Sequence, residues 1–126
     1  MIRGCGVDLV AVARIADMVK TGLPARFFTD EERAYVAGRG AMASQSAAGI
    51  FAAKEAMLKA LGTGIGGIGL VHTGVSHTAL GAPVAVLTGP AAQRLADIGA
   101  TRMHLSITHA EGMAIAMAVA EGEDDP

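Results

Sequence analysis

The chain has 126 residues, 52 % of them hydrophobic, 3 % aromatic and 17 % charged, with a formal net charge of −2; this length suits one domain spanning residues 1–126, and the slight acidity argues against general nucleic-acid binding. No apolar run reaches the roughly 18 residues of a membrane helix and MIRGCGVDLV lacks a signal-peptide pattern, so a cytoplasmic protein that does not enter membranes is expected. Cys5 stands alone, which excludes a disulfide within the chain and reads as a small side chain buried in a strand.

Residues 2–10, IRGCGVDLV, are β-branched and glycine-spaced, predicting a strand that ends near Asp8. VARIADMVK follows with apolar residues at helical spacing. In TDEERAYVAGR, Thr29 and Glu32 form a capping-box signature for a second helix. Residues 44–61 contain no proline and much alanine, and Gly62 stands where a C-terminal cap belongs, so this is the longest predicted helix. LVHTGVSHT and PVAVL, joined by ALGAP, read as a hairpin, Pro90 opens a short helix up to Gly99, and MHLSITH with MAIAMAVA, joined by AEG, reads as a second hairpin. The fold class is α+β, with helices mostly in the first half, packed on an antiparallel sheet. Residues 1–60 carry eight Arg or Lys against six acids. Residues 61–126 carry two against six, four of those acids lying in the tail 121–126, which reads as a frayed, solvating end.

Gly62, Gly64 and Gly67 satisfy G-x-G-x-x-G, but a dinucleotide fingerprint needs a strand before it and a helix after it, and here the order is reversed. What remains is a helix cap and a backbone that a bulky anion can approach closely. Within FAAKEAMLKALG, Glu55 and Lys59 share a helix face and Lys54 lies about 100 degrees round. Two readings stand: a solvated i,i+4 ion pair worth ~0.2–0.5 kcal/mol, or a carboxylate beside a lysine that serves a divalent cation with phosphate. In the second, Asp8 is the best further carboxylate, though it also suits a helix N-cap. LSITH sets Ser106 and Thr108 on one strand face and Ile107 and His109 on the other, where hydroxyl and imidazole can donate to phosphate or simply serve a turn. His72, His77 and His104 show no ligand spacing and read as structural or exposed, and nucleophile-elbow and zinc patterns are absent.

GVDLV, FAAKEAMLKALGTGIG and LSITH, in this order with RFFTDEE between the first two, closely resemble the holo-[acyl-carrier-protein] synthases, small-type 4'-phosphopantetheinyl transferases. The resemblance covers nearly the whole chain. It implies the transferase fold and transfer of 4'-phosphopantetheine from coenzyme A to a serine of an apo acyl carrier protein, releasing adenosine 3',5'-bisphosphate. It also implies Mg²⁺ on Asp8 and Glu55, Lys59 at the pyrophosphate, and His109 at a coenzyme A phosphate with Thr108 and the loop from Gly62 through Gly64 to Gly66 nearby. Val10 stands where larger relatives have a third acid, which points to the small type, a homotrimer with sites between subunits. Glu55 is then the candidate base for the serine proton. Ile50 and Ala82 replace basic residues usual in the family, which makes a non-catalytic trimeric module for coenzyme A or carrier the alternative. Since carrier proteins are acidic, the basic first half points to Arg14 and Met18, four apart on the first helix, and Arg26 as a docking face.

Overall fold

The computed structural model describes residues 1–64 and 67–124. Its elements run β1 (Ile2–Ala11), α1 (Val12–Thr21), α2 (Asp30–Ala37), α3 (Ala43–Leu61), β2 (Thr73–His77), β3 (Pro83–Leu87), α4 (Gly89–Asp97), β4 (Arg102–Ala110) and β5 (Met113–Glu121). The class is α+β, as the sequence predicts. One antiparallel sheet has the order β1-β5-β4, and β2 and β3 form a separate two-stranded sheet. The first strand does not stop at Asp8: it stays paired with β5 as far as Ala11 opposite Met113, so Ala11 rather than Asp8 caps α1, without a side-chain bond.

Helix α3 is apolar almost all round and is therefore a core helix, not a surface one. Residues from Ala47 to Leu61 are buried except Glu55 and Lys59. On the sheet, Ala114, Ala116, Ala118 and Ala120 of β5 face it and are fully buried. On β1 the residues of that face are Gly4, Gly6, Asp8 and Val10. The two glycines are required by contact, since a methyl group on Gly4 would collide with the Ala60 carbonyl oxygen, and one on Gly6 with that of Ala56. Strand and helix backbones thus touch directly. The same alternation puts Cys5 on the outer face, where it is exposed, contrary to the expectation of a buried thiol.

The capping box forms as predicted, with the Glu32 backbone N–H donating to Thr29 Oγ1 at 3.1 Å and the Thr29 N–H to Glu32 Oε1 at 2.9 Å. Glu32 does more than cap. Its side chain is wholly buried and accepts from Lys54 Nζ at 2.8 and 2.9 Å and from the Val75 N–H at 2.7 Å, so one carboxylate ties α2, α3 and β2 together. Burial lowers the Lys54 pKa, and the adjoining Glu32 charge opposes that shift. Removing one partner of such a pair costs about 3–5 kcal/mol, because the other charge is left buried alone.

The acidic tail is tied further than its composition suggests. Glu121 Oε1 lies 2.9 Å from His104 Nε2 and forms an ion pair with Arg102 at 3.3 Å, and Gly122 is buried, exchanging bonds with Met1. Asp125 and Pro126 lie outside the described residues.

Gly6→Ala is expected to destabilise the chain by about 1–3 kcal/mol, as overpacking does, while Cys5→Ala on the outer face stays within about 0.5 kcal/mol. Urea unfolding of both variants checks this, and equal midpoints would contradict the close-contact account.

Candidate active site

Because Gly4 and Gly6 let β1 lie against α3, the next residue on that face, Asp8, meets the turn of the helix from Glu55 to Lys59. Lys59 Nζ donates to Asp8 Oδ1 at 3.1 Å and to the Val7 carbonyl at 3.0 Å. The Asp8 side chain is only 11 % exposed and that of Lys59 54 %. Asp8 Oδ2 is buried and has no hydrogen-bond partner. Glu55, one turn before Lys59, stands beside Asp8. Burial, then a hydrogen bond to Asp8 and the charge of Asp8, push its carboxyl up from an ordinary 4.5 to about 7, against the pull of Arg14 and Lys59.

Two carboxylates in contact, both ionised, offer acceptors only, and they need a proton or a cation between them. Asp8 and Glu55 are therefore the residues able to hold a hard divalent ion, which typically takes one or two carboxylates plus water and phosphate oxygens. The orphaned Asp8 oxygen fits that use. The surface ion-pair reading of Glu55 with Lys59 gives way, since Lys59 is bound to Asp8. Lys54 takes no part here and serves the buried Glu32 pair instead.

The remaining candidates are spread more widely. Gly62 caps α3 in the left-handed region (φ 75°) and accepts no Cβ easily, and Gly64 follows at φ 66°. Arg94 Nε donates to the Leu61 carbonyl at 2.9 Å, closing the helix end. Gly66 lies outside the described residues. Thr108 and His109 point to opposite faces of β4. His109 lies on the α3 side, with Nε2 2.8 Å from the Gln45 carbonyl oxygen, and Thr108 on the outer face with Ser106. In register, Asp8 stands across from Ala116 and Ile107, and His109 across from Ala114 and Val10, so one chain does not bring His109 to the acid pair. Arg14 is exposed, its guanidinium 5.6 Å from the Phe51 ring centroid. Arg26 lies 4.7 Å from that of Phe27, and Met18 is half-buried against the core.

The sequence did not single out Arg39, Tyr35 or His77 as a group. Tyr35 stacks on His77 with centroids 3.8 Å apart, and Arg39 lies 5.4 Å over Tyr35. Burial and then the Arg39 charge lower the His77 pKa. No local spacing links these three residues, since the contact is made only when β2 packs beside α2.

The profile of the 4'-phosphopantetheinyl transferase superfamily matches residues 4–118. A holo-[acyl-carrier-protein] synthase of Treponema denticola is 42 % identical over 123 residues, covering 97 % of this chain and 100 % of that protein. One of Clavibacter sepedonicus is 44 % identical over 125 residues, covering 98 % of each. Among solved structures, holo-[acyl-carrier-protein] synthase of Neisseria meningitidis superposes with a TM-score of 0.81 at 38 % identity, covering 96 % of this chain and 99 % of that one. The Helicobacter pylori enzyme in complex with coenzyme A superposes with a TM-score of 0.78 at 31 % identity, covering 93 % and 99 %.

The Glu55 shift fixes a pH dependence in metal-free protein. The folded state keeps a proton that the unfolded chain has lost between 4.5 and about 7. The stability Glu55 contributes is therefore complete below the lower value and lost as pH rises through the upper one. Wild type should lose thermal stability relative to Glu55→Gln between about pH 5 and about pH 8. Parallel melting curves of the two proteins across that range would contradict the carboxylate contact.

Proposed function

The chain belongs to the 4'-phosphopantetheinyl transferase superfamily, and from that premise we infer that it works as a holo-[acyl-carrier-protein] synthase. It transfers 4'-phosphopantetheine from coenzyme A to a serine hydroxyl of an apo acyl carrier protein, giving the holo carrier and adenosine 3',5'-bisphosphate. The observation that carries this at the level of residues is the Asp8–Glu55 carboxylate contact beside a half-exposed lysine.

Asp8 and Glu55 are the residues that would hold Mg²⁺, and the partnerless Asp8 Oδ2 supports this. A cation bound there supplies neutralisation of pyrophosphate charge. Lys59 uses two of its three donors on Val7 and Asp8, leaving the third for an oxygen of the leaving phosphate. In the transfer the serine oxygen bonds to phosphorus, the bond to the bridging oxygen breaks, and the serine proton leaves. Glu55 is the candidate acceptor of that proton. Gly62 and Gly64 leave room for the pyrophosphate beyond the helix end.

The working unit in this reading is a homotrimer with His109 and Thr108 completing a site between subunits. Two features support it: His109 stands apart from the acid pair in one chain, and Val7, Leu9 and Met117 leave an apolar outer sheet face 54–56 % exposed. The carrier docks on the side of α1, where Arg14 stands exposed close enough to act on Glu55, with Met18 one turn on and Arg26, also exposed, in the connection that follows the helix.

Incubated with coenzyme A and Mg²⁺, the protein should raise the intact mass of an apo carrier by one phosphopantetheine and should run as a trimer in light scattering. Asp8→Asn and Glu55→Gln should keep the fold and lower the rate by about 100-fold or more. Full activity in either variant, or activity from a strict monomer, would overturn the corresponding assignment. Arg14→Glu should raise the carrier KM and weaken its salt dependence with coenzyme A affinity unchanged. Unaltered carrier kinetics at low salt would move the docking surface elsewhere.

A further inference from the structure

The side of α3 that lies on the sheet is smooth. Ala60 and Ala56 meet Gly4 and Gly6 of β1, Gly49 lies under Ile107, and Ala53 falls between them at helical spacing, near the buried alanines of β5. Such a surface sets how closely helix and sheet approach, but it offers few ridges to stop the helix turning about its own axis. On the far side Phe51 meets the rings of Phe27 and Phe28, with centroids 6.4 and 6.0 Å apart, and apolar burial of that kind is non-directional. The bonds near the two ends of α3 take backbone carbonyl oxygens, that of Gln45 from His109 and that of Leu61 from Arg94. Helix carbonyls run roughly along the axis, so these bonds hold the height of the helix more than its rotation.

The directional contact is made in the middle of α3, by Lys54. Its Nζ donates to Glu32 Oε1 at 2.8 Å, to Glu32 Oε2 at 2.9 Å and to the Thr73 carbonyl at 3.2 Å, which engages all three of its hydrogens. Glu32 is held in turn by the N–H groups of Thr29 and Val75. Both side chains are fully buried. A buried ion pair is not the choice that maximises stability, because apolar residues of similar volume often do as well or better. What a fully satisfied pair adds is a single geometry. Lys54 immediately precedes Glu55, so whatever fixes the rotation of one fixes that of the other, about 100 degrees round the helix.

We propose that Glu32 and Lys54 are positioning residues of the transfer: their pair fixes the rotation of α3 against the sheet and so holds the Glu55 carboxyl against Asp8. Side chains reach about 5–6 Å from a helix axis, and a turn of about 15 degrees therefore carries a carboxylate about 1.5 Å sideways. A divalent ion such as Mg²⁺, with ligands at about 2.1 Å in near-octahedral order, does not accommodate such a shift. The inference rests on the proposed function in taking Asp8 and Glu55 as the ligands of that ion.

The test is the double variant Glu32→Gln with Lys54→Met, which removes both charges together. An amide oxygen still accepts from the Thr29 and Val75 N–H groups, and methionine matches the lysine stem in length. Its melting temperature should stay within about 4 °C of wild type. With Mg²⁺, coenzyme A and an apo carrier, kcat should fall by about 10- to 100-fold while the carrier KM stays within about twofold. Mn²⁺ titrated alone and followed by its spin resonance should bind about tenfold more weakly. In crystals of the double variant, α3 should be turned by about 10 degrees or more against β1, β5 and β4, with the Asp8 and Glu55 carboxyls parted. Leu95→Ala on α4 serves as comparison: it should melt lower and keep the wild-type kcat. A double variant that fails to fold, one with unchanged kcat or unchanged helix rotation, or a kcat that falls equally in Leu95→Ala overturns the inference. In each of these cases a wild-type protein that modifies the carrier leaves the functional reading standing. If wild type modifies none, that reading falls, and the helix rotation and Mn²⁺ affinity decide the inference by themselves.

Discussion

The contact between the backbones of β1 and α3 is the constraint on which the site depends. Gly4 and Gly6 remove the side chains that would hold strand and helix apart, and Ala56, Ala60 and the alanine row of β5 do the same from the other sides. Small residues forgo burial worth about 25 cal/mol per Å² of apolar surface, so this packing is not the one that maximises hydrophobic stabilisation. What it secures is position. With the helix axis drawn onto the sheet, the next residue of the same strand face is an aspartate, and it can only lie against the helix turn that carries Glu55 and Lys59.

The three basic or acidic residues of that helix illustrate how environment assigns roles. Lys54 points into the interior, where its charge is sustained by a bidentate contact to Glu32 and by the Thr73 carbonyl at 3.2 Å. Lys59, five residues on, stays half in solvent and shares its donors between a carbonyl and Asp8. Glu55 between them is the group with too little positive partnering, and its raised carboxyl pKa expresses this. A solvated helix pair would be worth a few tenths of a kcal/mol. A desolvated carboxylate pair instead stores repulsion that a cation relieves, so the larger effect favours a binding site over a surface ornament.

Local features were legible in the sequence because they are local. The Thr29–Glu32 box, the Gly62 cap, Pro90 at the start of α4 and both hairpins are written within a few residues, and the glycine loop was rightly separated from a dinucleotide motif by what flanks it. The Asp8 and Glu55 pairing came from chemistry and from the ordered motifs of the resemblance, and their contact supports it. What escaped depends on long-range packing. Glu32 looked like a cap because its second partner lies 22 residues away. Cys5 looked buried because apolar strand residues usually are, yet the glycines beside it had already claimed the inner face. Thr108 and His109 looked like one feature, and the strand's alternation sends them to opposite sides.

The central claim is that Asp8 and Glu55, brought together by the Gly4–Gly6 contact, form a divalent-cation site that receives a pyrophosphate. Crystals of the protein grown with Mn²⁺ and coenzyme A test it most directly through the anomalous signal of the metal. The account predicts a single strong anomalous peak at the Asp8 and Glu55 carboxylates, next to the pyrophosphate. Coenzyme A bound with no peak there, or with its pyrophosphate on other residues, would contradict it.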